Sequence, residues 1–169
     1  MTAQHTEPAA RTSFDVPPET ASDRVAGLLD PSAVLVLRDL TEKVVAYESN
    51  NPDPTGETPT EHDFATVELE IFAGDTRIGR TKGAGRMLYK QGSGTFLAYF
   101  GETITLDDGN VIRAGGLVDD GRLTGGEWAS FPATVVEGPL AGAVGYRTFR
   151  PVANETHRVY ESAIVLYRA

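Results

Sequence analysis

Residues 96–116 read FLAYFGETITLDDGNVIRAGG, and this stretch decides the fold. Two runs rich in strand-forming side chains flank Asp107-Asp108-Gly109, and an Asp-Gly pair supplies the positive φ that a tight hairpin needs. Working outward, the same punctuation recurs at Gly74-Asp75, Gln91-Gly92-Ser93-Gly94 and Asp119-Asp120-Gly121. The expected strands are therefore 33–47, 64–72, 77–90, 95–106, 110–118, 122–136, 143–151 and 157–168. Residues 64–72 alternate cleanly, with Val67, Leu69 and Ile71 on one face and Thr66, Glu68 and Glu70 on the other. Between the first two strands, residues 50–60 (NNPDPTGETPT) predict the longest internal loop.

Eight strands joined by short connections make antiparallel neighbours, and an open meander would leave two exposed edges. Closure removes both. The predicted fold is all-β: an eight-stranded, antiparallel, up-and-down β-barrel of lipocalin-like shape, occupying residues 32–169. Residues 1–31 form a separate stretch, a polar tail followed by a short helix over 19–29 with Val25, Leu28 and Leu29 on one side. Residues 96–100 and 163–166 are apolar on both faces, which a barrel surrounded by water does not need. The N-terminal helix or a second subunit is expected to cover part of the outside, and a homodimer is favoured.

Composition excludes several function classes. The 169 residues carry 15 basic and 24 acidic side chains, a net charge of -9 that disfavours nucleic-acid binding. The absence of cysteine removes thiol catalysis, disulfide scaffolds and Cys-ligated zinc. No apolar run reaches membrane-span length and residues 1–19 lack the pattern of a secretory signal, so a soluble cytoplasmic protein is expected. The three histidines, His5, His62 and His157, lack metal-ligand spacing, and no metal is expected. Gly83-Ala84-Gly85 resembles part of a phosphate loop but lies inside a strand pattern, where a bulge or barrel bend is the better reading. Ser130 and Ser162 lack a G-x-S-x-G context.

Aromatic and cationic residues in the second half remain as candidates. In Gly145-Tyr146-Arg147-Thr148-Phe149-Arg150, Arg147 and Phe149 share a face. If that face is the interior, Arg147 needs an acidic partner, and Glu102 and Glu127 are the candidates; the alternative is an outward, solvated Arg147. Tyr99 faces either the interior or the outside.

The stretch from Gly94 to Arg168 resembles the spirotetronate and spirotetramate cyclases, natural Diels-Alderases of the allene-oxide-cyclase-like barrel family found in abyssomicin, pyrroindomycin and versipelostatin biosynthesis. The resemblance rests on FLAYFGETITLDDGNVIRAGG followed by EWASFPATVVEGPLAGAVGYRTFRP, with W-x-x-[FY]-P-A-T and G-[FY]-R-x-aromatic in order. It implies an intramolecular [4+2] cycloaddition of a linear polyketide bearing a diene and a tetronate-type exocyclic alkene, giving a spiro-fused cyclohexene without any cofactor. It implies Tyr99 and Arg147 as cavity-lining donors, and Phe149, Trp128, Phe64 and Leu97 as substrate contacts. Phe149 stands where relatives carry Trp, and Trp128 has a second reading as a packing residue. The N-terminal segment is implied as a lid. A hydrophobic-ligand-binding barrel without catalysis, or a barrel closing a different ring, would suit the same sequence.

Overall fold

The protein is described by a computed structural model over residues 33–51, 58–152 and 158–168. The expected tail, helix and lid of residues 1–31 lie outside the described residues, as do His5 and His157. The strands are β1 (Ala33–Ser49), β2 (Phe64–Ala73), β3 (Thr76–Lys90), β4 (Phe96–Leu106), β5 (Val111–Asp119), β6 (Ala129–Glu137), β7 (Val144–Pro151) and β8 (Val159–Tyr167). They close into an all-antiparallel barrel in chain order, with β8 returning to pair with β1. The up-and-down barrel read from the turns is the observed fold.

Short turns succeed where glycine supplies the conformation. Gly74, Gly94 and Gly109 hold φ values of 59°, 93° and 93° at the β2–β3, β3–β4 and β4–β5 connections. Asp119-Asp120-Gly121 behaves differently. It was expected to be a hairpin turn leading into a strand over 122–136, but it opens a helix, α1 (Asp120–Thr124), and β6 starts only at Ala129. The cause is local capping: the Asp119 carboxylate accepts the Arg122 backbone N–H, while the Gly125 N–H closes the last turn onto the Gly121 carbonyl. The same Arg122 hydrogen bond comes first among the interactions that hold the Asp119 carboxyl below its ordinary pKa. Leu123 drops from α1 into the core, so the helix sits at the barrel end where β4 begins and β5 finishes.

Interior positions follow the period of two. Leu40 and Glu42 of β1, Leu69 and Ile71 of β2, and Ala98, Glu102 and Ile104 of β4 point inward. So do Ile112 and Ala114 of β5, Phe131, Ala133 and Val135 of β6, Arg147 and Phe149 of β7, and Ser162, Ile164 and Leu166 of β8. The 17-residue β1 carries three register irregularities. Two lie against β8, between Ala33 and Leu35 and between Leu37 and Leu40, where Asp39 takes φ 51°, and the third lies at Val45 against β2. Gly83 and Gly85 keep regular register on β3, so there is no bulge at this point. Their service is to make room. A Cβ on Gly85 would lie 2.4 Å from the Phe100 ring, which occupies the space that glycine leaves inside the barrel.

Outside, Ala163 and Val165 of β8 are also buried, packed with Val36, Tyr146 and Tyr167. Among the described residues no helix is long and apolar enough to cross a membrane.

Candidate functional site

A charged cluster sits in the centre of the barrel. Glu42 from β1, Glu102 from β4 and Arg147 from β7 meet there, and their side chains are 0%, 10% and 3% exposed. Arg147 Nη2 donates to Glu42 Oε2 at 2.8 Å, and the Ser162 hydroxyl donates to Glu42 Oε1. Arg147 Nε lies 3.2 Å from Glu102 Oε1, close enough for an ion pair but without hydrogen-bond alignment. Arg147 Nη1 is buried with no hydrogen-bond partner. The guanidinium carbon stands 4.5 Å from the centroid of the Phe149 ring, a cation–π contact inside the core. Phe149 in turn meets Phe131 edge-on at 5.1 Å and Tyr160 at 6.3 Å.

The electrostatics follow from burial. Desolvation drives the Glu102 carboxyl up to about 7, partly opposed by the Arg147 charge and reinforced by Glu42. Tyr160 is pushed up to about 12, chiefly by burial and next by Tyr47, so it remains a neutral phenol. Arg147 is raised despite its burial, because the two glutamates more than offset the loss of hydration. The interior is thus polar at its middle rather than uniformly apolar. Bulky side chains such as Leu40, Ile71, Ile104, Ile112 and Leu166 fill the space around the cluster. Tyr47, two positions before the end of β1 and in register with inward-facing Val67, is 62% exposed.

Two of the six residues implied by the resemblance reach this interior, Arg147 and Phe149. Of the two acids expected near Arg147, Glu102 is in place, while Glu127 pairs outside with Arg122 at 2.5 Å. The other four residues correct the expectation. Tyr99 is 50% exposed on the outer face, because Ala98 and Glu102 commit the even-numbered residues of β4 to the core. Leu97 shares the outward parity of Tyr99 for the same reason. Phe64 pairs with outward Arg86 at the start of β2 and is exposed. Trp128 stands just before β6, half-buried with its Nε1 covered, and Arg150 stacks over its ring at 4.8 Å. Tyr99 borders an outer groove of about 880 Å³ that crosses β1 to β6 over the small residues Ala84, Gly101, Gly115 and Pro132. Its lining also includes Glu102, the ion-pair partner of Arg147.

Sequence reasoning missed Glu42, Ser162 and Tyr160. Glu42 carried a legible signal, since it falls two residues after Leu40 on one face of a strand otherwise rich in Val and Leu. Ser162 and Tyr160 gave none, because their roles depend on the closure of β8 onto β1.

Comparison with known proteins follows this geometry. Residues 43–166 match the family model of the allene oxide cyclase barrel like domain. The chain belongs to that family. Similar solved structures of such barrels include AbnU, an exo-specific intermolecular Diels-Alderase. It is 26% identical with a TM-score of 0.69 over 78% of this chain and 95% of that one. A nonspecific heme-binding cyclase that catalyses [4+2] cycloaddition during neoabyssomicin biosynthesis is 27% identical, with a TM-score of 0.75 over 87% of this chain and 72% of that one. The Diels-Alderase AbmU from Streptomyces koyangensis is 26% identical, with a TM-score of 0.72 over 88% and 72%. All three neighbours are catalysts of [4+2] cycloaddition. A pyocyanin demethylase, 15% identical with a TM-score of 0.57, shares the fold alone. No curated protein sequence matches the chain.

Proposed function

We propose that the protein is a cyclase that closes a cyclohexene ring by intramolecular [4+2] cycloaddition. Its substrate would be a linear polyketide carrying a conjugated diene and a tetronate- or tetramate-type exocyclic alkene, and its product a spiro-fused ring system. The observation that carries this reading is the likeness to three cycloaddition catalysts at 26–27% identity. The interior supports it with one buried cation, Arg147, that still has a free donor at Nη1.

The reaction transfers no proton and needs no nucleophile, so the work is positional. Confining a tethered diene and alkene in a stacked pose restricts several rotors at roughly 0.5–1 kcal/mol each, and a few such rotors correspond to about 10²–10³-fold in rate. A donor on the tetronate carbonyl withdraws electron density from the alkene and adds to this. Arg147 is the residue assigned that contact, with Phe149 fixing the plane of its guanidinium.

The test is incubation with the linear tetronate, followed by loss of diene absorbance and mass-unchanged product. A rate equal to the buffer blank overturns the reading. Tyr99→Phe should retain turnover within about twofold, because its hydroxyl faces the outside, and a collapse of rate would move the site to the outer groove. AbnU acts between two molecules. Addition of a separate alkene to a diene-bearing fragment distinguishes an intermolecular reaction here.

We also infer a homodimer, since Tyr99 and Leu117 lie side by side on the outer face of β4 and β5 and are 50% and 58% exposed. Light scattering should give twice the chain mass at micromolar concentration, and a monomer mass refutes the inference.

A further inference from the structure

The two sides of the barrel wall differ in exposure. Around β4 and β5 the outward residues Tyr99 and Leu117 are exposed, and even small outward residues such as Ala84, Gly101 and Gly115 keep part of their surface open. Across β7 and β8 the outward face is closed off. Val165, Ala163 and Thr148 are 0%, 2% and 4% exposed, although each alternates with inward neighbours: Ile164 and Leu166, Ser162 and Ile164, Arg147 and Phe149. Val36, Tyr146 and Tyr167 pack beside Ala163 and Val165 within the same outer layer, so they wall the patch without roofing it. Thr148 Oγ1 is also buried there, with no hydrogen-bond partner. An outward sheet face that is dry and holds an unpaired hydroxyl points to a covering segment with polar backbone of its own.

Three stretches of more than one residue lie outside the described residues, and geometry separates them. Residues 52–57 follow Ser49, on the β2 side of β1 and at the barrel end opposite Ala33 and Tyr167. Residues 153–157 leave Val152 and return to Arg158, next to Val159, whose carbonyl accepts the Val152 N–H. Such a loop extends at most about 11 Å from the hairpin end. Val165 lies seven strand steps beyond Arg158, about 23 Å. Residues 1–32 instead run directly into Ala33, which pairs with Tyr167 at the edge of the covered face. Their last fourteen, 19–32, span about 21 Å even at the helical rise. From Tyr167 to Ala163 is four strand steps, about 13 Å. Residues 19–32 also carry apolar side chains at helical spacing, Val25, Leu28 and Leu29.

We propose that residues 19–32 of the same chain lie along the outer wall over β7, β8 and the start of β1, with Val25, Leu28 and Leu29 against Val36, Tyr146 and Val165. The segment is then a fixed part of the wall, not a lid across the barrel end. It leaves the side bearing Tyr99 and Leu117 free for a second subunit. The placement is independent of the reaction performed inside.

The full chain has no cysteine, so Asp23→Cys accepts a single nitroxide. In ¹⁵N-labelled protein the amides of Tyr146, Thr148, Ala163 and Val165 should lose most of their intensity relative to the reduced label. Those of Lys82, Thr103 and Arg113 on the far wall should keep theirs. Adding Leu28→Asp and Leu29→Asp should restore the lost intensity, with the far-wall spectrum unchanged to show that the barrel is still folded. Without either change, the methyl groups of Ala163 and Val165 should be shielded from a soluble gadolinium chelate that bleaches those of Leu117.

Equal bleaching, no nitroxide effect on any amide, or intensity that stays lost in the double substitution would each overturn the proposal. Loss centred instead on Glu61, His62, Ser93 and Gly94, at the end where β1 finishes, makes the segment a lid and overturns it as well. So does loss in a mixture where the nitroxide and the ¹⁵N label sit on different chains, which assigns the cover to a second copy.

Discussion

Arg147→Met is expected to destabilise the barrel by about 3–5 kcal/mol near pH 8, the cost typical of removing one partner from a buried ion pair. Methionine fills much of the same volume, so packing is not what fails. What fails is the electrostatic balance, because Glu42 and Glu102 then sit in the core without a counter-charge. The pH dependence identifies the cause. Glu102 has an ordinary value of 4.5 when exposed and is already up at about 7 with Arg147 beside it; Arg147 is the influence that lowers it. In the variant the folded state binds more protons than the unfolded state over a window beginning near 4.5 and extending beyond 7. Stability must then fall as pH rises across that window and be largely restored below it. Urea unfolding at about pH 5 and pH 8 measures this directly. Equal losses at both pH values would show that Arg147 matters through shape instead.

Gly145→Ala is expected to cost about 3 kcal/mol or more, at the upper end of overpacking effects. A Cβ at this position would stand 1.9 Å from the Val165 carbonyl oxygen and 3.0 Å from the Leu166 Cα. Both are backbone atoms of the adjacent strand, so no rotamer change relieves the clash. Strands β7 and β8 would have to separate where Gly145 pairs with Leu166, close to the register that places Arg147 opposite Ile164. Gly92→Ala, with nothing within 4 Å of its added Cβ, is the control and should change stability by less than about 0.5 kcal/mol. Chemical denaturation of the pair tests the contrast. A similarly small loss at Gly145 would mean that the two strands slide apart at little cost.

These expectations depend on which way side chains point, and that was only partly legible in the sequence. For β2 the alternation of Val67, Leu69 and Ile71 with Thr66, Glu68 and Glu70 fixes the inward face by itself. For β4 it does not, because 96–100 reads Phe-Leu-Ala-Tyr-Phe and either parity buries apolar groups. A shift of one residue exchanges every side chain between the two faces. Tyr99 and Leu97 were misplaced for this reason, and Trp128 because the strand expected over 122–136 begins only at Ala129. For Arg147 the sequence left the face open and offered Glu102 and Glu127 as partners, and the folded barrel brings it to Glu102.

By itself, the sequence determined the number of strands, their antiparallel order and the closure, since Asp-Gly and Gly-containing turns act locally and leave short chains no other path. Only the tertiary structure decided that Glu42, Glu102, Arg147 and Ser162 share one point. They come from β1, β4, β7 and β8, as many as 120 positions apart in the chain. Their meeting follows from the stagger of strands around a closed sheet, a global quantity that no local pattern encodes.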